Sequence, residues 1–323
     1  MTSPTAEDLS GDPRLRCPVC KSGLRLEDKV GLLCTNAACR NRFPVVAGIP
    51  VLLNEGNSVF TLADFTSADA RTFFSPRSRL ERLVERAVPT FFRAGQSRAN
   101  YAQFCRLLLQ RSAAPSVLIV GGSVLGAGTD ELLRWCPPIQ LLETDVSFGP
   151  RTRMICDAHD LPLASDSFDG VVVQAVLEHV VDPYRCVEEI FRTLRPGGLV
   201  YVEMPFLQPV LARHDYTRFT HLGLRRLFAR FDEIESGSGN GPGTALALAY
   251  QYFLLSFATR RRTRGAIRVL SQVSAFWLKY VDVYLARRPG SLDAASGYFF
   301  LGAKGSGRLA DRDLIATYRG GLA

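Results

Sequence analysis

Lysine is nearly missing from this 323-residue chain: of 39 basic side chains only Lys21, Lys29, Lys279 and Lys304 are lysine, and the rest are arginine. The arginines are scattered and form no single basic stripe. The formal charge of +8 therefore suits nucleic acid or an anionic membrane surface without arguing strongly for either. Also lacking is a run of the roughly 18 apolar residues that a membrane-crossing helix needs. The longest candidate, 245–258, is shorter and holds Gln251 and Ser256. The opening MTSPTAEDLSGDPR has no apolar segment of the secretory kind. A cytoplasmic protein is expected, with contact to a membrane left open. A hydrophobic content of 47% is ample for one large core with a small unit beside it.

The eight cysteines fall into two classes. Cys105, Cys136, Cys156 and Cys186 are isolated among apolar residues and read as small core side chains. Cys17-Pro-Val-Cys20 and Cys34-Thr-Asn-Ala-Ala-Cys39 form two knuckles with 13 residues between them. Four thiolates at this spacing suit one tetrahedral zinc with no open position, hence a structural ion. A module of this size buries too little apolar surface to fold unaided, so metal would supply much of its stability. Residues Phe43 to Leu53 read as the strand–turn–strand end of such a ribbon.

Further on, apolar residues recur at helical spacing at Leu80, Leu83, Val84 and Ala87 and at Tyr101, Phe104, Cys105 and Leu108. This connector could cover a cleft or simply join two units. Ser116–Val120 then reads as a strand, followed by the glycine-rich turn Gly121-Gly122-Ser123-Val124-Leu125-Gly126-Ala127-Gly128 and a helix from Thr129. Such a turn lets backbone amides approach a ligand closely, although alone it is a weak signal. Strands are also expected at 139–142, 153–156, 168–174, 199–204, 231–235 and 297–303. Pro183–Leu194 is an amphipathic helix with Cys186, Val187, Ile190, Phe191 and Leu194 on one face.

The order of parts from 157 to 198 is the most specific signal. Asp157-Ala158 and Leu161-Pro162 precede Ser167-Phe168-Asp169, the apolar run Gly170–Val173, Leu177-Glu178-His179, and Leu194-Arg195-Pro196-Gly197-Gly198. This order resembles class I S-adenosylmethionine-dependent methyltransferases of the type-11 kind, over roughly Ser116 to Met204. The ribbon segment resembles the zinc-ribbon activator subunits of tRNA and translation-factor methyltransferases. The resemblance implies an α/β fold: a seven-stranded Rossmann-like methyltransferase sheet, its last strand antiparallel, with an N-terminal zinc ribbon and a C-terminal helical insertion. The expected division is a disordered tail (1–14), zinc ribbon (15–54), helical connector (55–112), methyltransferase domain (113–306, insertion 244–286) and mobile tail (307–323).

The resemblance also implies cofactor contacts. Gly121, Gly122, Ser123, Gly126 and Gly128 would hold the methionine part of S-adenosylmethionine. Asp145, with Glu143 as the alternative, would take the ribose. Asp157 and the Ala158 amide would meet the adenine, and Gln174 the cofactor's edge. The chain departs from the family at Ile119, where an acid usually stands two residues before the first glycine, and at Ser123. Glu178-His179 is weighed both as an acid–base pair and as a buried structural pair. His214-Asp215-Tyr216-Thr217-Arg218-Phe219-Thr220 concentrates reactive side chains, with His214 as candidate general base and Tyr216 as its companion, against a purely structural turn. Gly237–Gly243 reads as a flexible break, followed by two helices, 244–259 and 267–285, joined through Arg260–Arg264. This insertion is read as a lid or core packing, a dimer surface, or an interfacial membrane contact.

The leading expectation is methyl transfer to a small-molecule, sugar or lipid-like acceptor, with oxygen favoured. An rRNA or tRNA base methyltransferase and a catalytically degenerate scaffold are the alternatives.

Overall fold

A computed structural model describes residues 12–27, 31–68, 88–123, 130–286 and 288–322. Strands β1 (Leu24–Glu27), β2 (Gly31–Cys34), β3 (Arg42–Val46) and β4 (Ile49–Leu52) form an antiparallel ribbon. Ala47 and Gly48 make the β3–β4 turn at φ of 50° and 78°, which the expected strand–turn–strand requires. Helix α1 (Gly95–Leu109) follows and buries Tyr101, Phe104, Cys105 and Leu108, the expected stripe. The other connector stripe, Leu80 to Ala87, lies outside the described residues.

Seven strands come next: β5 (Ser116–Val120), β6 (Gln140–Asp145), β7 (Met154–Cys156), β8 (Phe168–Gln174), β9 (Leu194–Pro205), β10 (Phe231–Asn240) and β11 (Gly297–Lys304). Their order is β7-β6-β5-β8-β9-β11-β10, with β11 antiparallel to both neighbours and the rest parallel. Both faces are covered, because side chains alternate along each strand. Val117, Ile119, Val172, Leu199, Tyr201 and Phe299 face α1 and helix α2 (Asp130–Trp135). Leu118, Val120, Val171, Val173 and Val200 face helices α3 (Pro183–Thr193) and α4 (His221–Leu227). Asp182 caps α3 by accepting from Arg185 N, and Pro183 occupies its first turn. The four isolated cysteines are buried in these layers.

The seven expected strands are present, but the sheet does not stop there. β4 pairs parallel with β7, placing Val51 opposite Ile155 and Leu52 opposite Cys156, so among the described residues the ribbon continues the sheet to eleven strands. Lys21 reinforces the join, bonding Glu189 at 2.8 Å on α3. Asn54–Ser58, which leaves the ribbon, is fastened to the following loop: Asn54 and Asn57 donate to Asp160, and Ser58 donates to Asp157.

Three C-terminal features differ from expectation. The glycine-rich stretch at 237–240 is strand, not a break. Gly237 lies under the Phe299 ring, where a Cβ would approach to 3.3 Å, so glycine there serves close packing. The insertion has three helices: α5 (Pro242–Ser256), α6 (Arg261–Ala275) and α7 (Leu278–Leu285). Beyond a short α8 (Gly290–Asp293), residues expected as a tail carry α9 (Asp311–Ala316). It buries Leu314, while Thr317 and Arg319 bond Arg225, Ser236 and Glu233.

Candidate functional site

The strand order reverses at β5, whose neighbours β6 and β8 lead away in opposite directions. In open α/β sheets this is where ligands bind, beyond the carboxyl ends of the strands. Two cavities lie there, of about 300 Å³ and 610 Å³. They share Val120, Gly121, Ala175 and Leu211.

Gly121 follows β5 at φ +78°, and a Cβ on it would sit 2.3 Å from Val176 Cγ2. Gly121 and Gly122 both donate to the Thr144 carbonyl, and a Cβ on Gly122 would press on Glu143 and Ile119 at 3.1 Å. The turn therefore needs glycine twice, for backbone conformation and for space. Ser123 N donates to Asp145 Oδ2 at 3.0 Å. Gly126 and Gly128 lie outside the described residues. Ile119, the departure from the usual acid, is buried on β5 and helps line the larger cavity.

Asp145 ends β6 in the wall of the smaller cavity. Burial raises its pKa, only partly offset by hydrogen bonds from Ser123, Val146 and Ser147. Glu143 lines the larger cavity instead and is paired with Arg151, whose Nε lies at 2.6 Å. Asp157 and Ala158 also line the smaller cavity. Asp157 Oδ1 accepts from His159 N at 3.0 Å and faces His159 Nδ1 at 2.5 Å, and Oδ2 accepts from Ser58. Burial alone would raise this carboxyl, but the His159 and Ser58 bonds outweigh it and hold it below the usual range. Asp182 N donates to His159 Nε2, so a neutral His159 carries its proton on Nδ1 and donates it to Asp157. Three of the roughly four acceptor positions of Asp157 are thus taken. Val59 and Phe60, just past the ribbon, complete this wall.

Gln174 at the end of β8 is held between Tyr101, whose hydroxyl donates at 3.3 Å, and Glu203, to which its amide donates at 2.6 Å. Tyr101, Gln174 and Glu203 all line the larger cavity. Ala175 follows in a left-handed conformation, φ 54°, at the junction of the cavities. Such a backbone is uncommon for a residue with a side chain, and nothing in the sequence signalled it.

Glu178 and His179 contribute to different cavity walls, Glu178 to that of the larger cavity and His179 to that of the smaller. Both carboxyl oxygens of Glu178 are buried with no hydrogen-bond partner from another residue among the described residues. His179 Nε2 lies 3.8 Å from Glu178 Oε1. Burial pushes the Glu178 pKa up to about 7, with Asp215 adding to the rise and Arg218 opposing it. His214 and Tyr216 line neither cavity. The His214 ring lies 5.8 Å from Phe60, and its carbonyl is 2.6 Å from His179 Nδ1. Tyr216 is exposed, and its N–H donates to the Glu178 carbonyl. An Asp215–Arg218 ion pair braces the segment.

At the far edge of the sheet, the sulfurs of Cys17, Cys20, Cys34 and Cys39 lie within 4.8 Å of one another. Cys17 and Cys39 are 3.8 Å apart and Cys20 and Cys34 are 3.4 Å apart. A zinc–sulfur bond of about 2.3 Å gives a tetrahedron with edges of about 3.8 Å, so the cluster fits that ion. Lys21 and Arg40, each one residue after a knuckle's second cysteine, are both left-handed. Asn36 N and Asn41 Nδ2 point at Cys34 and Cys39 sulfurs at 3.4 and 3.3 Å, as donors to thiolates would.

The profile of the type-11 family, described as a methyltransferase domain, matches residues 124–202, so this segment is that of a methyltransferase domain. Demethylmenaquinone methyltransferase of Clavibacter sepedonicus is 44% identical over 46 residues, 14% of this chain and 19% of that protein. A ubiquinone/menaquinone biosynthesis C-methyltransferase of Geotalea daltonii is 36% identical over 73 residues, 22% of this chain and 31% of the relative. The chain thus spans less than a third of the length of these curated relatives. Among solved structures, phosphoethanolamine N-methyltransferase 2 of Haemonchus contortus with bound S-adenosylmethionine is 17% identical. It covers 63% of this chain and 52% of its own, at a TM-score of 0.41. A complex of the Haloferax volcanii Trm112 methyltransferase activator with a proposed methyltransferase is 18% identical. It covers 72% of this chain and all of its own, at a TM-score of 0.40.

Proposed function

We propose that the chain transfers a methyl group from S-adenosylmethionine to a small apolar acceptor held in the larger cavity, oxygen being the favoured atom. The observation that carries this is the pair of cavities meeting at Gly121 and Ala175, beyond the strand ends where the order reverses. The names of the curated relatives, which refer to quinones, support a small ring acceptor, and one of them names carbon as the methylated atom. The smaller cavity would take the nucleoside, with Asp145 on the ribose and Ala158 N and the remaining Asp157 position near the adenine. Gly121, Gly122, Ser123, Gly126 and Gly128 would hold the methionine portion, and Gln174 its edge.

The bound cofactor supplies a methyl group on a positively charged sulfur. The chain's own work is to hold that charge beside carboxylates, align the acceptor and exclude water. Glu178 is the favoured proton acceptor for a hydroxyl substrate, ahead of His214, because it contributes to the larger cavity's wall; its buried carboxyl would have to turn into that cavity to reach the substrate. One structural zinc on Cys17, Cys20, Cys34 and Cys39 would fix the ribbon, and through β4 and Ser58 the wall of the nucleoside cavity. The test is formation of S-adenosylhomocysteine with a panel of hydroxylated ring compounds of quinone type. Turnover dependent on one of them is expected. Cofactor binding without turnover of any hydroxyl acceptor, but with carbon or nitrogen methylation, would overturn the choice of oxygen.

A further inference from the structure

The helical insertion has settled its internal packing and still leaves eight large apolar or aromatic side chains exposed. Ala247, Leu248 and Ala275 pack around Phe91, with Leu278 against them. The Asp282 carboxylate caps α5, accepting from the N–H groups of Gly241, Gly243 and Thr244 and from the Thr244 hydroxyl. Lys279 donates to the Thr90 carbonyl. Two stripes remain, touched at their polar or aromatic edges by Arg93 and Lys279 over Tyr280, Arg288 at Tyr284 and the Trp277 N–H donating to the Ser274 carbonyl. On α5 and just past it, Leu246, Phe253 and Phe257 recur at intervals of seven and four. On α6 and α7, Leu270, Val273, Trp277, Tyr280 and Tyr284 recur at alternating intervals of three and four. Each of these eight is more than half exposed. The spacing keeps each stripe on one helical face.

Charge identifies what would cover them. From Pro242 to Val281 there is no acidic residue, and Arg260, Arg262 and Arg268 are exposed where α5 passes into α6. We propose that this insertion docks on the surface of an anionic lipid bilayer. Aromatic and aliphatic side chains would enter the headgroup boundary and the arginines would meet lipid phosphates. Among the described residues no helix is long and apolar enough to cross a membrane, so the contact lies in the plane of the surface. A second copy is the weaker occupant: a two-fold contact through this face would set arginines against arginines with no carboxylate from the insertion's first forty residues between them.

The larger cavity sits at the root of this unit. Thr90, Phe92, Arg93 and Asn240 line it. Lys279 holds Thr90, Arg93 N donates to Asn240, and the Arg93 guanidinium lies over Tyr280. Docking would bring the cavity wall beside the phase in which an apolar acceptor dissolves. That consequence rests on the methyl-transfer reading; the docking itself does not.

The test is co-sedimentation of the full chain, without cofactor, with vesicles of phosphatidylcholine alone or with one-third phosphatidylglycerol. Binding to the anionic vesicles is expected, weakened by salt. In a Trp135→Phe background the Trp277 emission should shift to the blue. Removing three arginines (R260S/R262S/R268S) should weaken partitioning about a hundredfold, at about fivefold each. The pair F253S/W277S should abolish binding with an unchanged melting temperature, since both side chains are exposed. No partitioning onto anionic vesicles would overturn docking, as would equal binding to neutral ones. So would a concentration-dependent dimer, broken by F253S/W277S, that ignores vesicles, or salt-sensitive binding of single-stranded RNA in their place. Loss of cofactor binding with vesicle binding intact would count against methyl transfer alone.

Discussion

Replacing Glu178 by Gln should change how stability depends on pH. The carboxyl is buried with no hydrogen-bond partner from another residue among the described residues, and its pKa is pushed from 4.5 up to about 7. Below pH 4 the folded and unfolded chains both carry the proton, and the group contributes nothing to the pH dependence. As pH rises past 4.5, the unfolded chain loses the proton while the folded chain keeps it, so stability falls. The fall ends near pH 7, where the folded form also ionises. Its full size is about 3 kcal/mol, from 1.36 kcal/mol for each pH unit that separates the two states. Glutamine has no such titration. Urea denaturation of both proteins from pH 4 to 8 at fixed ionic strength should therefore show the variant gaining about 3 kcal/mol on wild type across that window. Any constant offset from packing an amide cancels in this comparison. Asp215, on the neighbouring Arg218, is held below the usual carboxylate range and stays ionised throughout most of it. A difference that stays flat within about 0.5 kcal/mol would refute the reasoning, because it would mean the carboxyl is solvated or paired in the folded protein.

Further outcomes follow from the same geometry. Metal analysis should find about one zinc per chain, lost in Cys34→Ser; full retention in that variant would remove the four-cysteine site. Gly121→Ala should cost about 2 kcal/mol or more in denaturant melts, from a left-handed backbone and a Cβ driven into Val176; wild-type stability would show that the turn relaxes freely. In acceptor turnover, Glu178→Gln should lose about a hundredfold and His214→Ala only a few-fold; the reverse order would return the proton acceptor to His214.

The central sheet was legible because its signals are local. The four apolar residues 117–120 before Gly121 and the Asp-Gly-Val-Val-Val run each mark a strand within a few positions, whereas Pro196-Gly197-Gly198, expected as the turn into a strand at 199, lies inside β9. The cysteine knuckles were equally plain. Harder to read was anything decided between distant segments. The β4–β7 pairing joins residues about a hundred positions apart, and β4 looks like the end of a ribbon until its partner is known. Asn54–Ser58 has the composition of a linker, yet its side chains are anchored on Asp157 and Asp160. Four alternating glycines suggested a break, whereas β11 and the Phe299 ring hold the first two in a strand. His214 drew attention by residue type, but the turn around Asp215–Arg218 places it at the margin of the cavities. Glu178 was read only as half of a pair, because burial without a partner is a property of the fold and not of the sequence. The stripes on α5 to α7 read as lid or core packing, dimer surface or membrane contact for the same reason: periodicity shows a face, not what covers it.

Calorimetric titration with S-adenosylhomocysteine and S-adenosylmethionine tests the account most directly. Binding of one ligand per chain is expected, weakened about tenfold or more in Asp145→Ala, as for loss of a charged hydrogen-bond acceptor. No heat of binding in wild type at millimolar ligand would contradict it, and would leave the chain as a methyltransferase fold that serves another purpose.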